Sequence, residues 1–255
     1  MITESPRGGC RYIVRSVRTR RLRPRYLILL LTVSAVVICC SAIVEPVYAL
    51  TPTSLRGTSL FLNAIQDAKG SRWVHEVIRV KTRHNSFTSV DDIGETQGRQ
   101  LIESGQVRIQ LILTGKGLFV RANPEGLTSY LNMPKNQLNK FAERWIVLSP
   151  ANPYYSTLSA AMTLRTDFDQ QLFTGPLRQG PEILLHGQRV VSLMGRLAPQ
   201  SHSARGTIYV LAETNRPLPI ELNESTPAVS YAESWSRWGQ RPLAVRAPAG
   251  ALPLN

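Results

Sequence analysis

Cysteine is confined to the first 40 residues of this 255-residue chain, at Cys10, Cys39 and Cys40. The rest has none. That excludes disulfides, thiolate catalysis and cysteine-based zinc sites there, and leaves stability to a hydrophobic core. The motifs of common chemistry are missing too: there is no HExxH, GxSxG, P-loop or GxGxxG. Gly115-Lys116-Gly117 is too short to cradle a phosphate and reads as a hairpin turn. The four histidines, His75, His84, His186 and His202, are scattered. No catalytic residue, metal site or cofactor is expected, and the chain is expected not to be an enzyme.

Acidic residues are nearly absent from the N-terminus. The first 25 residues hold eight arginines and one acid, Glu4, and then Tyr26–Val44 runs for nineteen residues without a charge. As a helix at about 1.5 Å per residue it reaches roughly 28 Å, close to the hydrocarbon thickness of a bilayer. Cationic flanks stay cytoplasmic, so the long C-terminal part is expected outside. Two fates stay open for the segment. Val47-Tyr48-Ala49 is a small-x-small pattern that allows cleavage after Ala49, whereas the apolar run exceeds a usual signal core and suits a retained anchor. Lipidation fits poorly, because Ile38 precedes Cys39, Cys39 precedes Cys40, and a lipobox wants a small residue before its cysteine.

The expected organisation is a basic cytoplasmic segment over 1–25, an anchor or signal segment over 26–49, and one extracytoplasmic domain over 50–255. The 206 residues after Ala49 carry 22 basic and 15 acidic side chains, a net +7. That balance suits anionic lipid head groups or envelope polymers, and equally an ordinary soluble domain. Nucleic acid is not an expected partner.

Leu50–Leu55 reads as a linker. In Thr58–Lys69, Leu60, Phe61, Ala64, Ile65 and Ala68 recur at helical spacing, with Gly70 as the stop. The period then changes to two. Over Trp73–Arg83, Val74, Ile78 and Val80 share a face with Glu76 and Thr82. Over Val107–Thr114, Val107, Ile109, Leu111 and Leu113 face one way and Arg108, Gln110 and Thr114 the other, as in a half-buried strand. Gly115–Gly117 turns into a strand over Leu118–Ala122. The polar stretch Phe87–Glu103 between them carries one or two weaker strands. Helical spacing returns at Leu138, Phe141, Ala142 and Trp145, at Leu158, Ala161 and Met162, and over Phe168–Phe173 with Thr166 as cap; Trp145–Leu148 reads as strand. Hairpins follow over Glu182–Met194, turning at His186-Gly187-Gln188, and over Thr207–Asn223, turning at Asn215-Arg216-Pro217. Val229–Trp235 and Leu243–Arg246 read as the last strands, and Ala247–Asn255 as a loose tail. Helix, strands, short helices, strands is an α+β order, with helices against one face of an antiparallel sheet.

Three acidic groupings draw attention. Asp91, Asp92 and Glu95 read as a solvated loop, lacking the spacing of a calcium-binding loop. Asp167 and Asp169 are first-turn acids favoured by a helix dipole, or an acid/base pair flanking a substrate. Asn223-Glu224-Ser225 matches a glycosylation sequon, without weight in a bacterial protein.

Four segments together resemble a known family. Gly115–Ala122 (GKGLFVRA), Glu143–Pro150 (ERWIVLSP), His186–Leu193 (HGQRVVSL) and, best, Gly206–Leu222 (GTIYVLAETNRPLPIEL) are similar, in order and spacing, to elements of the LppX/LprG-like actinobacterial envelope lipoproteins, relatives of the LolA/LolB carriers. The resemblance runs over about residues 58–248, and the usual lipobox is degenerate here. It implies a curved antiparallel half-barrel with helices on its concave face, and in some members a cavity for acylated lipid. On that reading Ile78, Val80, Val107, Ile109, Leu111, Leu113, Leu118, Val120, Ile208 and Val210 line the cavity; the same residues would also make an ordinary packed core. The expected function is binding or transfer of an acyl-chain lipid or glycolipid by a membrane-tethered or exported envelope protein. The alternative is an extracytoplasmic sensor or regulatory module with an envelope protein partner.

Overall fold

The computed structural model describes residues 52–169, 173–197, 205–212, 215–226, 228–242 and 245–254. The arginine arm and Tyr26–Val44 lie outside the described residues. Among the described residues no helix is long and apolar enough to cross a membrane.

Twelve strands form one open, curved sheet in the order β12-β6-β5-β4-β3-β2-β1-β11-β10-β9-β8-β7. They are β1 (Trp73–Thr82), β2 (Ser86–Gly94), β3 (Gly98–Ser104), β4 (Val107–Thr114), β5 (Gly117–Ala122), β6 (Ile146–Leu148), β7 (Phe173–Leu185), β8 (Gln188–Leu197), β9 (Arg205–Leu211), β10 (Pro219–Ser225), β11 (Val229–Ser236) and β12 (Leu252–Leu254). All neighbours are antiparallel except β12 on β6. The helices among the described residues are α1 (Pro52–Lys69), α2 (Pro124–Leu131), α3 (Lys135–Phe141), α4 (Tyr155–Ala160) and α5 (Leu164–Asp169). The α+β half-barrel expected from the sequence is borne out.

The helices cover the concave face in three places. Phe61, Ala64, Ile65 and Ala68 of α1 are buried with Leu193, Ile208, Val210 and Leu222 of β8–β10. At the other end Leu127 and Leu131 of α2, Phe141 of α3 and Leu158 of α4 close over β3–β6. Between them lies α5, whose Phe168 ring sits 5.6 Å from Trp235 and 5.7 Å from Trp238. On the convex face Ile112, Phe119 and Val245 form a third, smaller core.

Several boundaries differ from the expectations. The supposed linker Leu50–Leu55 is already helix from Pro52, since proline suits a first helical position whose N–H needs no partner. Helix α2 escaped notice although Asn123 caps it, its side chain accepting from the Gly126 N–H, with Pro124 next. Trp145 falls beyond α3, and Thr166 lies within α5 instead of capping it. Strand β7 runs nine residues further upstream than Glu182, through Pro176 and Pro181. It is an edge strand with two register breaks, where proline and bulges are tolerated. The tail is not loose: Leu252–Leu254 pairs with Ile146–Leu148. Val245 and Arg246 are not in a strand, and Leu243 and Ala244 lie outside the described residues.

Candidate functional site

Strand register sets which side chains meet at the centre of the concave face. Glu76 on β1 stands opposite Asp91 on β2 and opposite Trp235 on β11. Ile78, two residues on, stands opposite Glu233. In antiparallel pairs directly opposed residues share a face, so Glu76, Asp91 and Glu233 all point toward the helices. Helix α5 lowers Asp167 onto them. Carboxylate oxygens of Glu76, Asp167 and Glu233 lie within 4.8 Å of one another. Glu76, Asp91 and Glu233 are each 1% exposed and Asp167 8%.

Neutral donors hold most of this cluster. The Trp235 Nε1–H donates to Glu76 Oε1 at 2.7 Å, and the Tyr231 hydroxyl to Glu233 Oε2 at 2.5 Å. Asp91 accepts from Ser89 Oγ at 2.7 Å and from Gln100 Nε2 at 3.1 Å. Asp167 Oδ2 is buried with no hydrogen-bond partner among the described residues. Leaving such an acceptor unsatisfied costs about 1–3 kcal/mol, and more when it is charged.

Burial and mutual repulsion set the protonation of Glu76, Asp91 and Asp167. Burial raises Glu76 well above the usual carboxyl range, helped by the charges of Asp167 and Glu233. Burial raises Asp167 in the same way, with Glu233 and Asp91 adding to it. Asp91 is pushed up to about 7 by burial, against the hydrogen bonds from Ser89 and Gln100 that favour its anion. The Tyr231 hydroxyl is also raised, by burial first and by Glu233 second. Four buried carboxylates cannot all stay charged without compensation. The arrangement can share protons, donate hydrogen bonds from neutral acids, or hold a cation.

The reading of Asp91, Asp92 and Glu95 as a solvated loop is corrected. Asp91 and Asp92 are buried in β2 and point to opposite faces; Glu95 alone is exposed, in the turn that follows. Strands on both sides of β2 bury its residues on either face. On the convex side Asp92 accepts from Arg99 Nη2 at 2.5 Å and pairs with His75 Nδ1 at 2.8 Å. Asp167 does lie in the first turn of α5, as expected, but it is buried there against other acids. Its site partners Glu76 and Glu233 were not singled out from sequence, although Glu76 is in phase with Val74, Ile78 and Val80. An acid in an apolar phase is the signal that could have found it. His186 lies in the hairpin turn, as expected, with Nε2 2.9 Å from Glu221 Oε2.

The cavity candidates fall into groups on either side of the acids. Ile109, Leu111, Leu113, Leu118 and Val120 are together under α2–α4. Ile208 and Val210 are under α1. Ile78, Val80 and Val107 are half-buried, and Ile78 stands beside Glu233 in the acidic row.

No protein-family profile and no curated protein matches the chain. Among solved structures it is similar to LprF from Mycobacterium bovis (12% identity, TM-score 0.49, 77% of this chain and 98% of that one). It is similar also to the lipoprotein LppX from Mycobacterium tuberculosis (14% identity, TM-score 0.48, 75% and 99%). A third is an uncharacterized conserved protein from Thermus thermophilus (11% identity, TM-score 0.42, 78% and 98%). The resemblance to LppX/LprG-like proteins is one of fold, at low sequence identity.

Proposed function

We propose that residues 50–255 form an extracytoplasmic, non-enzymatic carrier domain that holds an acyl-chain lipid or glycolipid against the concave face, kept near the membrane when Tyr26–Val44 is retained as its anchor. The observation that carries this reading is the cover over β3–β6. Ile109, Leu111, Leu118 and Val120 are fully buried there by α2, α3 and α4, helices of only 8, 7 and 6 residues. Helices this short have little stability of their own and depend on packing. Their displacement exchanges one apolar cover for another. Burial of a methylene contributes about 0.8 kcal/mol, so a C16 chain gains on the order of 10 kcal/mol before ordering costs.

The test is organic extraction of the purified protein followed by mass spectrometry, with titration of a fluorescent fatty-acyl lipid. Saturable binding that Leu111→Trp weakens supports the proposal. Protein that carries no lipid and ignores the added one refutes it.

A second reading, a module that binds an envelope protein, rests on the β7–β8 hairpin tip. Ile183 and Leu184 are 39% and 72% exposed there, on the open edge strand. Crosslinking from position 184 in the intact envelope distinguishes it: capture of one defined protein favours the second reading, capture of lipid alone the first.

A further inference from the structure

Glu76, Asp167 and Glu233 come from three elements, β1, α5 and β11, and each brings a carboxylate oxygen within 4.8 Å of the other two. Oxygens on opposite sides of a calcium ion, each at about 2.4 Å, are about 4.8 Å apart. Three oxygens at that full separation from one another stand about 2.8 Å from their common centre, so side-chain shifts of a few tenths of an ångström bring all three to a calcium bonding distance of about 2.3–2.6 Å. Asp167 Oδ2 is the independent sign of a missing ligand. The residue is 8% exposed, and this oxygen is buried without a hydrogen-bond partner among the described residues. Nor does a lysine or arginine form an ion pair with Glu76 or Asp167 among those residues. Two donors to the cluster, the Trp235 indole and the Tyr231 hydroxyl, are neutral. They orient Glu76 and Glu233 as outer partners orient metal ligands. The ligand set is oxygen only, with neither histidine nor cysteine, which selects a hard ion over zinc or copper.

We propose that Glu76, Asp167 and Glu233 bind one hard divalent cation of the calcium, manganese and magnesium class. The ion ties α5 to the middle of the sheet, on the boundary between the two apolar fields. The site does not depend on whether those fields hold lipid.

The test uses the full chain, stripped with EDTA and titrated separately with CaCl2, MnCl2 and MgCl2, with KCl as the control for ionic strength. The expected results are a saturable rise in melting temperature with at least one divalent ion, a stoichiometry near one by calorimetry, and at least a tenfold loss of affinity in Asp167→Asn. Glu95→Gln, a surface acid outside the cluster, leaves binding unchanged. Should Asp167→Asn fail to fold, Glu233→Gln is read in its place. The absence of saturable binding up to roughly 10 mM, above the weak end of the range for extracellular calcium modules, overturns the proposal. Affinity unchanged in both cluster variants overturns it as well. Neither readout involves lipid, so failure here and failure of the carrier reading are separate results.

Discussion

Phe168 is where the position of α5 can be tested directly. Its side chain is 1% exposed, and its ring lies 5.6 Å from Trp235 at 38° and 5.7 Å from Trp238 at 37°. Helix α5 has six residues, too few to persist without packing. Truncating a buried phenylalanine to alanine costs about 3–5 kcal/mol through lost transfer and the cavity left behind. Each aromatic pair adds about 0.5–1.5 kcal/mol beyond burial, part of it already within that figure. Phe168→Ala is therefore expected to lose about 3–5 kcal/mol, a large share of the roughly 5–15 kcal/mol of an ordinary domain. Phe168→Leu keeps most of the volume and should lose about 1–2 kcal/mol. Equilibrium urea unfolding followed by tryptophan fluorescence and by circular dichroism measures both, with the slope against denaturant checked for constancy. Hydrogen exchange at Asp167 and Phe168 separates local release of α5 from global unfolding. A loss under about 1 kcal/mol in Phe168→Ala, with exchange at Asp167 unchanged, would show that α5 is not held by this contact.

Gly57→Ala should destabilise the domain by about 1 kcal/mol or more, despite alanine's better helix propensity of about 1 kcal/mol. The new Cβ would stand 2.5 Å from the Leu177 carbonyl oxygen, where α1 lies on β7, and would strain the hydrogen bond from the Leu177 N–H to Thr58 Oγ1. A thermal melt at or above that of the parent protein would show that the helix can move away freely. The acid cluster sets a pH dependence in chelator-treated protein. Glu76, Asp91 and Asp167 hold protons more tightly folded than unfolded, so protons favour the fold. Stability should fall as pH rises from about 4 through the Asp91 value of about 7. Urea unfolding at about pH 5 and about pH 8 tests this, and greater stability at the higher pH contradicts it.

Much of the fold was legible because its strongest elements repeat a simple period. Val107, Ile109, Leu111 and Leu113 alternate cleanly, and β4 follows. Phe61, Ala64, Ile65 and Ala68 trace one helical stripe, and α1 follows. What escaped was stabilised from outside its own segment. Strand β7 carries Pro176, Gly175, Gly180 and Pro181, poor strand formers, yet it has β8 on one side and α1 on top. The tail is apolar only at intervals, and it is ordered by pairing with β6 and by packing of Ala247 and Ala251 against Ile112, Phe119 and Val245. The acids were hardest to read. Spacing pairs Asp167 with its neighbour Asp169, whereas its partners in space are Glu76 and Glu233, far away in the chain. Only the β1–β11 register and the placement of α5 bring them together, and neither is written in local periodicity.

The same register constrains what a carrier of this shape can hold. Across the concave face the row from Ile146 through Val120 and Leu111 is apolar, reaches Gln100, Asp91 and Glu76, and continues to Trp235. The adjacent row runs from Ile78 through Glu233 to Leu222, Ile208 and Leu193. An acyl chain laid along either row would meet carboxylates midway. A methylene contributes about 0.8 kcal/mol when buried, whereas an uncompensated buried carboxylate costs several kcal/mol. Where those acids carry charge, a chain that crosses the centre loses there what several methylenes gain. Unless the acids are protonated or bound to a cation, each apolar field is a separate compartment, one under α2–α4 and one under α1. The polar part of a two-chain ligand would then lie at the centre, beside Glu76 and Glu233, with its chains directed outward into the two fields.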